Sequence, residues 1–329
     1  MKLVYFYRPK MKGVHSIETV FGQIKSGMPD DVAYKDYVCT SKWMRYHSFI
    51  KASKFQGDIN HITGDIHTIS LFLDKKKTIV TVHDVGRYER DLKGIKKWIF
   101  KLVWLTFPLR RASYITTISE FTKRKLVEIC KIPENKIRVI PNPAPEDFQF
   151  SYKEFDQKLP VVMQIGSGNN KNIYRLIEAV KDTDFRLLLI RKPDQTIKDL
   201  LISYKIPFEW HTDLSRSDVY ECYKKCDILF FASEYEGFGV PILEANIIGR
   251  PVITSNISAM PDVAHDAALL INPFSTEEIK EALLRIKQDA DLRERLVQNG
   301  LANVARFSKH QISNQYYSLY NEILKNTNE

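Results

Sequence analysis

The sequence predicts an α/β protein built from two doubly wound domains, and three observations carry that reading. Short apolar runs alternate with helical stretches along the chain. The alternation starts afresh near residue 159. The length, 329 residues, suits two domains of ordinary size. In the first half KLVYFY (2–7) reads as the opening strand, and a helix is expected from Gly13 to Gln23. VAYKDYV, DINHIT, TIVTVHDV and ASYITTIS read as further strands, with helices between them that include 93–107 and 120–131. RVIPNP (138–143) closes this half. LPVVMQIG (159–166) opens the second. Helix 172–182, strand RLLLI, helix 194–204, strand FEWH, helix 215–225, strand DILFFA and helix 241–248 follow. Strands PVITS and ALLIN and helices 276–288 and 289–305 complete it. The expected division is 1–150, 151–308 and a last amphipathic segment at 309–329.

Composition narrows the class. A hydrophobic content of 44% supports buried cores, and 13 Gly with 14 Pro argue against long disordered stretches. No apolar run reaches the ~18–20 residues of a membrane span. The first residues, MKLVYFYRPK, lack a signal-peptide apolar region, so a cytoplasmic protein is expected. Cys39, Cys130, Cys222 and Cys226 are scattered; Cys222 and Cys226 have no second ligand pair and read as inert thiols rather than half a metal site. The net charge of +9 is uneven: residues 1–150 carry 27 Lys and Arg against 15 Asp and Glu, whereas residues 151–329 carry 22 against 25. One half is therefore expected to meet an anionic surface. No zinc-finger spacing, aromatic RNA-binding motif or recognition helix points to nucleic acid.

The most informative stretch is SEYEGFGVPILEANIIGRPVITSNISAMPDVAHDAALL (233–270). Glu236 should end the buried strand ILFFAS. Gly237 and Gly239 let backbone approach a ligand closely. Pro241 suits the first position of a helix, and Glu244 follows one turn in. The helix N-terminus offers unpaired N–H groups and partial positive charge, which suit a phosphate. A ligand across this turn would meet a carboxylate at each end with backbone donors between. A sugar nucleotide has that pattern: hydroxyl-rich sugar, diphosphate, hydroxyl-rich ribose.

This segment resembles the E-x7-E signature of the retaining GT-B glycosyltransferases of GT4 type. TVHDV (81–85), TTISEFTKRKL (116–126), KIRVIPNP (136–143), VVMQIGSGNNKNIYRLIEAV (161–180) and DILFFASEYEGFG (227–239) resemble the same family, in its order and at its separations. The resemblance covers roughly 58–325. It implies two Rossmann-like domains facing across a cleft, an N-terminal acceptor-binding domain, a C-terminal donor-binding domain, and a final helix crossing back to the first.

It also implies roles. Glu236 contacts the donor sugar hydroxyls and Glu244 the ribose. Backbone groups of Gly237, Phe238, Gly239 and Val240 support sugar and phosphates. His83 lies near the transferred sugar, with Gly13 and Asp84 on the acceptor side. Asp84 equally suits a cap on the following turn. The leaving diphosphate needs cations from the protein, since no D-x-D loop for a metal is present. The family places an Arg just after the glycine equivalent to Gly166; here that position is Ser167. Lys171 fills the second cationic role, and Arg191 or Lys192 is expected to replace the missing Arg unless that pair is simply solvated. His211 to Leu214 should flank the base. The G-S-G at 166–168 is not a dinucleotide fingerprint. Ser119 reads as a helix cap, since no nucleophile elbow surrounds it.

The expected activity is transfer of a hexose from a nucleotide-diphosphate sugar, GDP-mannose or a UDP-hexose, to a saccharide or lipid-linked saccharide in surface polysaccharide synthesis. Retention of configuration is expected, with no cofactor and no metal. The rival readings are a GT-B epimerase or phosphorylase and a non-catalytic sugar-nucleotide-binding scaffold. The segment 93–107 is expected to touch an anionic membrane from the cytoplasmic side. Ile95, Trp98, Ile99, Leu102 and Leu105 would pack inward; Lys93, Lys96, Lys97 and Lys101 would face out with Phe100 and Trp104. The alternative is that a neighbouring element covers the two rings.

Overall fold

The computed structural model describes residues 1–9, 16–40 and 45–328. The chain divides into two compact units, Met1–Pro143 with Phe307–Glu329, and Ala144–Arg306. Each is built on its own six-stranded, all-parallel sheet.

In the first unit the strands are β1 (Lys2–Tyr7), β2 (Ala33–Val38), β3 (Ile59–Ile62), β4 (Thr78–Val82), β5 (Tyr114–Thr117) and β6 (Ile137–Val139). They lie in the order β2-β1-β3-β4-β5-β6. Strand residues alternate between faces, and both faces are covered. Val4, Phe6, Ile62, Val80 and Val82 pack with Leu105, Leu109 and Leu126 on one side. Leu3, Tyr5, Tyr7, Ile59 and Ile79 pack on the other with Phe21 and Ile24. The final helix, Lys309–Asn328, adds Ile312, Tyr316, Leu319, Tyr320 and Ile323 to that second layer. It is tied in by a buried polar chain. His61 Nδ1 meets the Tyr320 hydroxyl at 2.7 Å, His61 Nε2 meets Thr81 Oγ1 at 2.7 Å, and Thr81 meets Thr116 at 2.6 Å. Burial pushes the His61 pKa down to about 3, with the nearby His83 adding to it.

In the second unit β7 (Val161–Ile165), β8 (Arg186–Ile190), β9 (Phe208–His211), β10 (Ile228–Phe231), β11 (Val252–Ser255) and β12 (Leu269–Ile271) run in the order β12-β11-β10-β7-β8-β9. The chain winds one way from β7 to β9 and the other way from β10 to β12. The reversal leaves a switch point between β7 and β10, where ligands of such sheets bind beyond the strand ends. The segment 144–150, read from sequence as part of the first half, packs in this unit. Phe148 lies against Tyr220 and Tyr223, and Asp147 pairs with Arg216.

The structure corrects the reading of 93–107. It is not one regular helix but an α-helix (Gly94–Phe100), a wider π segment (Lys101–Thr106) and a short α-helix (Phe107–Arg111). Its inward face also differs in part, although Leu105 is buried as expected. Phe100 and Trp104 stack on each other at 5.9 Å and pack against the core, and the Arg87 guanidinium lies over Phe100. Ile95, Trp98 and Ile99 are exposed instead. Both faces carry large apolar groups, so periodicity could not choose between them. The neighbours did: Lys97 lies over the Tyr88 ring, and His67 Nδ1 contacts the Trp104 carbonyl.

Candidate active site

The second unit brings its sequence-marked residues to the C-terminal ends of β7, β8, β9 and β10, which are neighbours in the sheet. Gly166 follows β7 with φ +105°, in the left-handed half of backbone space where a side chain is strained. The turn it makes lets Lys171 fold back over it: a Cβ at Gly166 would meet the Lys171 chain at 2.7 Å. Lys171 Nζ donates to Glu236 Oε1 at 2.7 Å, and the ammonium lies 4.5 Å from the centre of the Phe231 ring. Asn170 Nδ2 donates to the same Glu236 oxygen at 3.2 Å and to the Tyr235 carbonyl at 2.8 Å. The backbone of Glu236 is fixed by Ser258, whose hydroxyl accepts from its N–H at 3.0 Å and donates to its carbonyl at 2.7 Å. Lys171 and Glu236 are each about one-fifth exposed. They form a partly open ion pair at the switch point.

After Glu236 the chain turns through Gly237, Phe238 and Gly239 (φ +129°) into helix Val240–Ile248, with Pro241 in its first turn. Pro241 has no N–H and the Ile242 N–H donates to the Gly239 carbonyl at 3.0 Å, so what this end offers an anion is chiefly the positive end of the helix dipole. Glu244 lies in this helix, buried. Its Oε2 accepts from the Tyr223 hydroxyl at 2.7 Å and its Oε1 from Arg216 Nη1.

Ser167, beyond β7, is stitched to the loop beyond β8: its hydroxyl accepts from Lys192 N at 2.6 Å. Lys192 is exposed. Arg191 is buried, and its one side-chain hydrogen bond among the described residues is a 3.4 Å contact from Nη1 to Gln164 Oε1. Its Nε has no hydrogen-bond partner among the described residues, and burial draws its pKa below the ordinary arginine value. Gln164 in turn donates to the Gly166 carbonyl at 3.1 Å. A cation held so poorly satisfied beside Gly166 is suited to an anionic ligand. Trp210 Nε1 donates to the Arg191 carbonyl at 3.0 Å. His211, at the end of β9, has its imidazole 3.3 Å from Glu209. Leu214 follows in the adjoining loop.

In the first unit His83 follows β4. Its Nε2 lies 2.7 Å from the Thr63 carbonyl. A carbonyl only accepts, so Nε2 carries the proton and Nδ1 is the acceptor atom of the neutral ring. Burial lowers its pKa, outweighing the Thr63 bond and the nearby Asp65 and Asp84 charges. Gly64, at φ +143°, leaves room for the ring: a Cβ there would come within 2.7 Å of it. Asp84 caps the next turn, accepting from Gly86 N at 2.7 Å. Ser119 caps helix Glu120–Cys130 through Thr122 N. Gly13 lies outside the described residues.

Sequence reasoning missed Arg216, Asp147, Tyr223 and Ser258. Arg216 Nε and Nη2 reach the two Asp147 oxygens at 2.7 and 3.2 Å. Arg216 starts a helix and Asp147 and Ser258 lie in loops flanking the marked motifs, while Tyr223 sits in the last turn of helix Arg216–Lys225.

Two family descriptions match successive parts of the chain: Glycosyltransferase Family 4 over residues 41–148 and Glycosyl transferases group 1 over residues 146–302. O-antigen chain mannosyltransferase B of Escherichia coli is 26% identical over 74% of this chain and 70% of its own length. The O-antigen chain mannosyltransferase RfbU of Salmonella typhimurium is 28% identical over 68% of this chain and 64% of its own. The chain thus spans about two-thirds of each. The structure of HepE from Anabaena in complex with UDP and glucose superposes with a TM-score of 0.78 at 13% identity, covering 98% of this chain and all of that one. By the two matched descriptions and its two parallel-sheet units, the chain belongs to the group 1 glycosyl transferases, the GT4-type family of GT-B fold.

Proposed function

We propose that the protein transfers a hexose from a nucleotide-diphosphate sugar to a saccharide hydroxyl, in assembly of a surface polysaccharide. The observation that carries this reading is the Lys171–Glu236 pair at the β7/β10 switch point, beside the N-terminus of helix Val240–Ile248. The ammonium and the helix end supply positive charge for a leaving diphosphate. The carboxylate supplies an acceptor for sugar hydroxyls. Glu244 takes the ribose, Arg191 stands in for the absent arginine at Ser167, and His83 serves the reaction from the first unit as a neutral imidazole. The two curated relatives are named as O-antigen mannosyltransferases. Their names favour GDP-mannose as donor and a lipid-linked saccharide as acceptor, and HepE's bound UDP keeps UDP-hexoses in view.

The reaction proceeds in this reading with retained configuration and without a metal. Incubating the protein with GDP-mannose or UDP-hexoses and lipid-linked saccharide acceptors tests it. The expected product carries one added hexose whose anomeric configuration, read by NMR, matches the donor's. Donor hydrolysis or epimerisation independent of acceptor would favour the other enzyme class, and binding without turnover would favour a scaffold.

An anionic membrane surface is the partner proposed for segment 94–111 of the first unit. Among the described residues no helix is long and apolar enough to cross a membrane. Segment 94–111 nevertheless exposes Ile95 (74%), Trp98 (60%), Ile99, Val103 and Phe107 (56%). No Asp or Glu occurs from Leu92 to Ser119, while Lys93, Lys96, Lys97, Lys101, Arg110 and Arg111 do. Apolar and basic groups together suit an anionic bilayer surface, each basic residue contributing about 1 kcal/mol near it.

A further inference from the structure

We propose that Arg216 is a positioning and selectivity residue of the nucleotide pocket, which aims Glu244 at the ribose diol and itself donates to a ribose oxygen. This rests on the assignment of Glu244 to the ribose.

Glu244 is a buried carboxylate, and a buried charge persists only when paired. Its partners divide the work. The Tyr223 hydroxyl, fully buried, holds Oε2 from the interior. Arg216 holds Oε1 from the open side, for its side chain is almost half exposed.

Arg216 is fixed in every direction. It is the first residue of helix Arg216–Lys225, whose Ser215 cap sets the backbone. Its Nε and Nη2 take both oxygens of Asp147, a fork-to-fork pairing. Its flat face lies 4.1 Å from the centre of the Phe148 ring, which is wedged against Tyr220 and Tyr223. Burial works against the charge, but the hydrogen bonds and fields of Asp147 and Glu244 outweigh it and raise the guanidinium pKa above that of a free arginine. Of its five N–H groups, the three bonds to Asp147 and Glu244 use three. Among the described residues one N–H on each terminal nitrogen is left over, and that of Nη1 lies next to the Glu244 oxygen that Arg216 already holds.

A vicinal diol fits such a neighbourhood. Each hydroxyl can donate to a carboxylate and accept from a guanidinium, so carboxylate and arginine side by side satisfy both halves of the group. A deoxyribose leaves the buried carboxylate and the arginine short of a partner, and sites built on hydrogen bonds reject such analogues strongly. The ligand class is therefore a ribonucleoside diphosphate, read at its 2′ and 3′ hydroxyls.

The test is calorimetric titration of ribo- and 2′-deoxyribonucleoside diphosphates, UDP and GDP with their deoxy forms, into wild type and the variants Arg216→Ala, Arg216→Lys, Asp147→Asn and Glu244→Gln. Wild type is expected to prefer the ribonucleotide by tenfold or more. Arg216→Ala should lose at least tenfold in ribonucleotide affinity and most of that preference. Arg216→Lys, with charge but no fork, should not restore it, and Asp147→Asn should fall between. If Arg216→Ala fails to fold, Arg216→Lys and Asp147→Asn decide the matter. An unchanged ribo-to-deoxy ratio in the folded variants would overturn the inference. So would a loss shared equally by both nucleotides, since that is what a structural role gives. Glu244→Gln separates the two levels. If it changes nothing, the ribose assignment itself has failed; if it weakens binding while the Arg216 variants do not, only the role of Arg216 falls.

Discussion

The two units use the same kind of parallel sheet, yet their strand ends differ in electrical character. Those of the second unit carry paired charges: Lys171 with Glu236, Arg216 with Glu244 and Asp147, and a poorly satisfied Arg191 nearby. The first unit has its own ion pair, Arg8 with Asp65 beyond β1 and β3, but beside it stands a group of neutral rings in and after β3 and β4. His61, His67 and His83 all have pKa values lowered by burial, and they sit on carbonyl and hydroxyl partners. A fold fixes where a ligand can lie, but side chains decide which ligand. Charges in opposed pairs suit a diphosphate flanked by hydroxyls. Neutral imidazoles suit uncharged hydroxyl chemistry.

The comparison can be broken most directly at Lys171. If its charge stabilises the diphosphate as it leaves, Lys171→Ala should lower kcat on the order of 10²–10³-fold, the usual cost of one transition-state donor. Nucleotide affinity should fall far less. Steady-state kinetics against donor concentration checks this, and a variant with near-normal kcat would mean that the charged strand ends are structural.

A second break concerns the surface of the first unit. Trp98→Ser with Phe107→Ser should weaken binding to anionic vesicles by about tenfold or more, since each large apolar side chain contributes roughly 1.5–3 kcal/mol when fully buried. Co-sedimentation reads it. Binding that is equal on neutral and anionic vesicles, or unaltered in the variant, would reject this face. Phe100→Ser would instead destabilise the fold, because that ring packs against the core.

The neutral rings make a prediction about pH. His61 has a folded pKa of about 3 against about 6.5 unfolded. The unfolded chain therefore binds the extra proton as pH drops. The stabilisation is complete above about 6.5 and is lost as pH falls from there toward 3. Between pH 6.5 and 5 the loss from His61 alone is about 2 kcal/mol. Urea unfolding at several pH values should show this slope, and His61→Gln should flatten it. His67 and His83 act in the same direction. A slope of the opposite sign would show that these rings are charged in the folded protein.

The smallest effect expected is on metal removal. Turnover should be unchanged in EDTA if Lys171 and the helix end carry the charge work. Complete, Mg²⁺-reversible loss would refute that.

Much of this was readable in the sequence because it is local. The turn at Gly166 with Lys171 five residues on, and Glu236-Gly-Phe-Gly before Pro241, are short motifs whose spacing sets their geometry. What escaped depends on contacts between distant residues. Arg216 meets Glu244 across 28 positions and Asp147 across 69, and nothing in either segment announces the other. The segment at 94–111 failed for a different reason. Two of its faces are apolar, and the choice between them was made by Tyr88, Arg87 and His67, which periodicity does not see.

The central claim is that the charged strand ends of the second unit hold a sugar nucleotide, and Glu244 tests it most directly. Calorimetric titration of GDP and UDP into wild type and Glu244→Ala, with thermal unfolding measured alongside, is the decisive measurement. Charge-assisted hydrogen bonds are worth roughly 1.5–3 kcal/mol, so the preferred nucleotide should bind the variant about tenfold to a hundredfold more weakly while the variant still unfolds cooperatively. Equal affinity in the two proteins, or no binding of either nucleotide by wild type, would contradict the account.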